Sequence, residues 1–221
     1  LHLSPLAYGL WAEAIEPIQI RPASRDVTLG ESNAVRLELA VPADTRNVEF
    51  VTNVGRVEGL ARIGPNRFEA VFVPPQTHFP QVAVIVAWSA TGAGATTLRL
   101  WARSVLPVET EPDTTVVLEV GSRRFGPVPA SSTGHAEIAL HLPPGPGGGV
   151  VVATSRAGTV TRRNLDLHVP EVSRVVTLAR PDAVVAGSAE RPTILVAGAM
   201  ADGGPAGQAT AHAERGRVER S

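Results

Sequence analysis

QVAVIVAWSATGAGATTLRLWAR, residues 81–103, is the stretch whose reading decides the fold. In Gln81–Trp88, the residues Val82, Val84, Val86 and Trp88 alternate with Ala83, Ile85 and Ala87, so the run is apolar on both faces. In Ala95–Arg103, the residues Leu98, Leu100 and Ala102 oppose Thr97, Arg99, Trp101 and Arg103. A side chain that changes character at every second position is the mark of a β-strand, because successive Cβ atoms leave a pleated strand on opposite sides. Working outward, Asn33–Val41 alternates in the same way, with Val35, Leu37, Leu39 and Val41 on one face, and Arg67–Val73 places Phe68, Ala70 and Phe72 against Arg67 and Glu69. Shorter runs at Ile18–Arg21, Val27–Leu29 and Asn47–Thr52 complete the set, separated by Gly, Pro and Asn.

About seven short strands in roughly 85 residues fit an antiparallel sandwich of the immunoglobulin kind. Such a sandwich buries its core without a disulfide, which matters because the chain has no cysteine. A second, smaller unit begins near Pro107, with strands expected at Thr115–Val120, Arg124–Val128, His135–Leu142, Val150–Thr154 and Asn164–Val169. Gly121, Gly134, Gly158 and the run from Pro143 to Gly149 punctuate it. A third unit begins near Val172 and repeats the first: Ile20-Arg21-Pro22 returns as Ala179-Arg180-Pro181, and Gly55-Arg56-Val57-Glu58 returns as Gly216-Arg217-Val218-Glu219. A repeat about 160 residues apart is the sign of similar modules in series. In the first module the strands richest in core residues follow this Gly-Arg-Val-Glu stretch, so the third module is expected to be about half present. The expected division is an N-terminal segment over 1–16, sandwiches over 17–105 and 106–171, and a partial module over 172–221.

The N-terminal segment reads in two ways. Ser4 as N-cap and Pro5 as first helical residue would start a short helix through Glu16. Leu3–Trp11 followed by Ala12-Glu13-Ala14 also has the form of the end of a secretory signal, and Leu1 in place of Met reads as a processed or excerpted product.

The third unit carries a resemblance. An extended run ends near Pro181, a Gly turn stands at Gly187, and a strand is expected over Arg191–Met200. Asp202-Gly203-Gly204-Pro205 then forms a turn, followed by Ala209, Ala211 and Ala213 in alternation and by Gly216 and Val218. This order resembles bacterial Ig-like domains of the invasin/intimin type over 172–221, and more weakly over 17–104, where Ala43-Asp44-Thr45 stands in place of the Asp-Gly turn. The middle unit departs from that pattern. Its run Arg124–Leu142 and the following Pro-Pro-Gly look more like the small carboxypeptidase-regulatory-type sandwich. The resemblance implies an extracytoplasmic, non-catalytic spacer or adhesive stalk, with a role outside the cytoplasm in the periplasm, at the cell surface or in the medium. Its motifs are turn chemistry, which identifies a fold better than a role.

Composition removes several functions. The 20 basic residues are all Arg and face 21 Asp plus Glu for a net charge of −1, which leaves no basic excess for nucleic acid. Without lysine there is no Schiff base, P-loop or isopeptide cross-link, and without cysteine no thiol nucleophile or thiolate metal site. No run approaches the ~18 apolar residues a spanning helix requires. Gly145-Pro146-Gly147-Gly148-Gly149 precedes a strand, so no helix N-terminus is present there to hold a phosphate. Ser131 and Ser132 near His135 lie in a turn and form no nucleophile elbow.

Three groups remain as candidates. His135, Glu137 and His141 share one face of a strand, and Asn164, Asp166 and His168 lie on the polar face of another, so pairing of the two strands would gather metal ligands; the plain alternative is two solvated faces. Glu109, Glu111 and Asp113 cluster at the first junction, where oxygen ligands for calcium would stiffen it; the plain alternative is a charged linker. The most informative group is aromatic. A sandwich strand needs only one apolar face, yet Gln81–Trp88 has two and Trp101 sits among outer-face residues. This predicts a cover over Trp88 and Trp101, supplied by the N-terminal segment with Tyr8 and Trp11, by a neighbouring module or by another chain. Trp88, Trp101, Trp11 and Tyr8 are therefore the expected contact residues.

The sequence points to an all-β chain of tandem immunoglobulin-like sandwiches with no cofactor and no catalytic role, acting as a structural or adhesive segment of a bacterial surface, secreted or envelope-assembly protein. Protein partners or self-association are expected. Two alternatives stand beside this one. The first is a carbohydrate-binding or accessory module of a secreted enzyme, weakened by an aromatic content of 4%. The second is a subunit of a filament or sheath.

Overall fold

The computed structural model describes residues 16–31, 34–180, 193–204 and 206. The helix or signal reading over residues 4–15, Tyr8 and Trp11, and the second Gly-Arg-Val-Glu stretch at 216–219 lie outside the described residues, while Glu16, the expected last helical residue, is in a strand. Among the described residues the elements are strands, with no helix.

The first core lies between two sheets. One holds β2 (Gln19–Pro22), β4 (Val35–Ala40), β7 (Arg67–Val73) and β6 (Arg56–Gly64) in the order β2-β4-β7-β6. The other holds β1 (Glu16–Pro17), β9 (Gly92–Glu109), β8 (Gln81–Trp88) and β5 (Glu49–Thr52) in the order β1-β9-β8-β5, with β3 (Asp26–Thr28) also paired to β9. Lettered along the chain, this is A-B-E-D against C-F-G, with the first strand split so that β1 and β3 run parallel to β9. The fold is therefore the immunoglobulin sandwich.

Alternation explains the packing. β4 buries Val35, Leu37 and Leu39 and turns Arg36 outward, while β7 buries Phe68, Ala70 and Phe72. Opposite them stand Ala83, Ile85 and Ala87 of β8 and Leu98 and Leu100 of β9, all fully buried. β7 and β8 begin and end where the period-2 pattern does. β6 was not foreseen as a strand. It is an edge strand with exposed or half-exposed residues and two irregularities in its register with β7, so no apolar alternation marks it.

β9 is 18 residues long and crosses from the first core into the second. Its first half pairs with β8, and its second half, Ala102–Glu109, pairs with β12 (His135–Leu142). Pro107 lies within this strand. Facing β9 and β12 is a sheet of β11 (Arg123–Pro129), β10 (Thr115–Val120), β13 (Gly148–Thr154) and β14 (Val160–Asp166), in the order β11-β10-β13-β14. Val108, Val116, Leu118, Val120, Ile138 and Leu140 form its core. β14 begins at Val160 and ends at Asp166, earlier than the expected Asn164–Val169, because along it only Leu165 reaches the core and periodicity has little to report.

The third unit is described as a hairpin of β15 (Val175–Arg180) and β16 (Thr193–Gly198). It lies against β8. Val176, Leu195, Ala197 and Ala199 form a third core with Val82, Val84 and Val86, the second face of β8.

Candidate interaction surface

Trp101 stands on the outer side of β9 where the first core gives way to the second. Its indole Nε1 donates to Asp26 Oδ1 at 2.7 Å, and Arg99 donates to Asp26 Oδ2 at 2.6 Å. The Arg123 guanidinium lies 4.6 Å from the Trp101 ring centre, and the His141 ring lies 4.9 Å away, with its Nε2 3.1 Å from Thr28 Oγ1. The first sandwich thus supplies Asp26, Thr28 and Arg99, and the second supplies Arg123 and His141. Cation–π and charge-assisted contacts around one amphipathic ring tie the two units together beside their shared strand. Sequence reading singled out Trp101 but not Asp26, Arg123 or His141 as its partners. Asp26 and Arg123 lie far from Trp101 in sequence, and no local pattern links them.

The Asp26 carboxyl is held below the ordinary aspartate range. Partial burial pushes it upward, but the hydrogen bonds from Arg99 and Trp101 and the charges of Arg99 and Arg123 outweigh that effect. A carboxyl depressed on folding adds stability above its unfolded pKa, and that stability is lost as pH falls through the folded value. Trp101→Phe keeps a ring and removes the N–H donor. We expect it to cost about 1 kcal/mol at neutral pH, to raise the Asp26 pKa seen by carboxyl NMR titration, and to narrow the difference from the parent chain in acid. An unmoved Asp26 titration would contradict this.

The second face of β8 is covered by the chain itself. Trp88 and Val51 border the third core, half-buried, beside Val82, Val84 and Val86. Asn53 fastens the edge: its Nδ2 donates to the Val82 carbonyl at 3.0 Å and to the Ser173 carbonyl at 2.6 Å, and its Oδ1 accepts from the Val84 amide at 2.7 Å. Arg180 pairs with Glu49 at 2.5 Å. The turn at Asp202-Gly203-Gly204, singled out in the sequence, seats Gly203 against Arg99, and the Gly203 carbonyl accepts from Thr97 Oγ1 at 3.1 Å. Gly203 has φ +86°, and a Cβ there would lie 2.7 Å from Arg99 Cγ, so both backbone geometry and space call for glycine.

The acidic and histidine groups do not converge. Glu109 turns to His135, Nδ1 to Oε1 at 2.8 Å, while Asp113 takes a left-handed turn with φ +57°. β12 and β14 lie in opposite sheets, so His135, Glu137 and His141 do not meet Asn164, Asp166 and His168 across a strand pair. Among the described residues no three His, Asp or Glu side chains form a metal-ligand group. Hydrogen bonding to Glu109 raises the His135 pKa, with a smaller contribution from Glu137. An imidazole raised on folding stabilises the fold below its unfolded pKa, and the benefit is lost as pH rises through the folded value. In an NMR titration His135 is expected to deprotonate above the ordinary histidine range and to return toward it in Glu109→Gln. An equal titration in both chains would refute the pairing.

No family model and no curated protein matches the chain. Solved structures do. The Yersinia pseudotuberculosis adhesin InvE is 10% identical with a TM-score of 0.33, over 67% of this chain and 58% of that one. InvD from the same organism is 8% identical with a TM-score of 0.35, over 81% and 67%. An ICAM-5 D1–D4 ectodomain fragment is 13% identical with a TM-score of 0.31, over 73% and 54%. The chain spans little more than half the length of InvE, and the fold assignment stands on the strand order itself. Among the described residues no helix is long and apolar enough to cross a membrane.

Proposed function

We propose that this chain is a non-catalytic structural and adhesive segment of a bacterial surface, secreted or envelope-assembly protein, working outside the cytoplasm as a stiff spacer and a scaffold for protein contacts. We place its modules at 17–105, 106–171 and 172–221. The observation that carries the reading is β9, one unbroken strand that serves two cores. Bending between those cores would break ladder pairs to β8 or β12 and pull Trp101 from its partners. A linker of the usual kind imposes no such cost.

The test is a spin-label distance distribution between the exposed sites Ile63 in the first sandwich and Val160 in the second. A single narrow distribution is expected, one that broadens when three glycines are inserted after Ser104. A broad distribution in the parent chain would end the spacer reading.

A further inference from the structure

The hairpin β15–β16 is apolar on both faces. Val176, Leu178, Leu195, Ala197 and Ala199 turn to β8. The alternate residues, Val175 and Ala179 of β15 and Ile194 and Val196 of β16, turn the other way, and the register pairs Val175 with Gly198 and Ala179 with Ile194 on that side. Val175 is 52% and Ile194 50% exposed. Docking on β8 needs only one apolar face, so the second calls for an occupant of its own.

The repeat tells the two faces apart. Ile20-Arg21-Pro22 returns as Ala179-Arg180-Pro181. In the first sandwich Ile20 pairs with Leu39, and both lie in the core between the sheets. Their counterparts are Ala179 and its partner Ile194, on the face away from β8. The hairpin therefore meets β8 with the counterpart of an outer face, and the face left open is the counterpart of a core face. In the first sandwich β5 lies over that core and packs Phe50 on it. The interval of 161 residues from Gly55 to Gly216 carries Glu49–Thr52 to 210–213 and Phe50 to Ala211. Residues 207–221 lie outside the described residues, but their sequence fits the place: Ala209, Ala211 and Ala213 alternate with Thr210, His212 and Glu214. The described chain also sets out in that direction. After the turn at Asp202-Gly203-Gly204, Ala206 stands on the open face, where a Cβ added to Gly198 would lie 3.3 Å from Ala206 Cβ and 3.6 Å from Val175 Cγ2.

We propose that the face of Val175, Ala179, Ile194 and Val196 is the core face of a third sandwich laid flank to flank on the first, and that its occupant is the chain's own segment 209–213, with Ala209, Ala211 and Ala213 turned inward. Size favours a tethered occupant. Two strands of six residues present a face of about 200 Å². Counting both sides, that is roughly 400 Å², far below the ~1,200 Å² that holds separate chains together. A segment of the same chain, joined to β16 through Ala206, avoids most of the cost of association.

The inference deepens the spacer reading and rests on it only for its use, a module that braces the first from the side. The Ile63–Val160 distance does not involve the third unit, so the two can fail separately. The test is methyl NMR on the full chain with Ile δ1 and Ala β methyls labelled. Ile194 is expected to show a nuclear Overhauser contact with Ala211 of the same molecule, and to be shielded from a soluble nitroxide that relaxes the exposed Ile63 methyl. Ala211→Asp is expected to abolish the contact and to relax Ile194 as strongly as Ile63, because an unpaired carboxylate is not held in an apolar core. His212→Asp, on the other side of the alternation, is expected to keep both the contact and the shielding. The proposal is overturned if the parent chain shows no contact with Ala211 and Ile194 relaxes like Ile63. A contact seen only between differently labelled copies would overturn it too, by giving the face to a second chain, as would equal losses in the two variants.

Discussion

Gly94→Ala is expected to destabilise the first sandwich by about 3 kcal/mol, although it adds one methyl group. β1 pairs parallel with β9 through Glu16 with Gly92 and Pro17 with Ala93, and the Ile18 amide then donates to the Ala93 carbonyl at 2.7 Å. This draws the Ile18 backbone across Gly94. A Cβ on Gly94 would stand 1.9 Å from the Ile18 carbonyl oxygen and 3.2 Å from Ile18 Cβ. The obstacle is main chain, which has no rotamer to change, so the segment from Glu16 must lift away. Lifting it breaks the parallel pairing and withdraws Ile18 from the core, where it is 4% exposed. Gly147→Ala is the control, since a Cβ there meets nothing within 4 Å. It is expected to stay within about 0.5 kcal/mol of the parent. Urea denaturation of both variants decides the matter: equal midpoints would show that Ile18 does not approach Gly94 as described.

Gly94 also marks the limit of what the sequence displays. Read locally, it is a small residue between two strands, and nothing near it announces that Ile18 will pass over it. The strands themselves were legible because burial on one face writes a period of two into the residue types, as in Val35–Ala40 and His135–Leu142. β6 escaped notice because an edge strand turned to water writes no such pattern. β9 was foreseen only as far as Arg103, because Leu106-Pro107 reads as a break. An edge position accepts proline without losing a ladder bond, and the strand continues to Glu109. The doubly apolar Gln81–Trp88 did reveal that something must cover it. It did not reveal what, since the cover, Val176, Leu195 and Ala197, lies about ninety residues or more downstream and packs by shape without a recognisable motif. Trp101 was legible as an anomaly for the same reason, while its partners depend on how two sandwiches meet.

Val84→Asp and Ile85→Asp, adjacent changes on one strand, are expected to fail in different ways. Val84 is 1% exposed and faces the third core; Ile85 is fully buried and faces the first. An unpaired carboxylate is not tolerated at either site. Behind Ile85 lie Phe72, Leu37 and Leu98, and the only escape for the charge is to open the sandwich, so Ile85→Asp is expected to abolish cooperative folding of that unit. Among the described residues, what packs behind Val84 from outside its own sheet is the third unit, chiefly the hairpin β15–β16. If that hairpin lifts away, the carboxylate reaches water and β8 becomes an ordinary strand with one wet face. The penalty of Val84→Asp is therefore capped at the free energy of docking. Each of Val82, Val84 and Val86 buried against Val176 and Leu195 contributes about 1.5–3 kcal/mol to docking before the ordering of the hairpin is subtracted. The expected result is a chain whose first and second cores keep their amide-exchange protection, while the peptide bonds around Ser173–Arg180 become open to protease. Freed from the hairpin, Asn53 also loses its bond to the Ser173 carbonyl, so its side-chain amide signal should shift in the same variant. Parent-like protease resistance in Val84→Asp would mean that the third unit does not rest on β8. Loss of all three cores together would mean that docking and the first fold are one cooperative event.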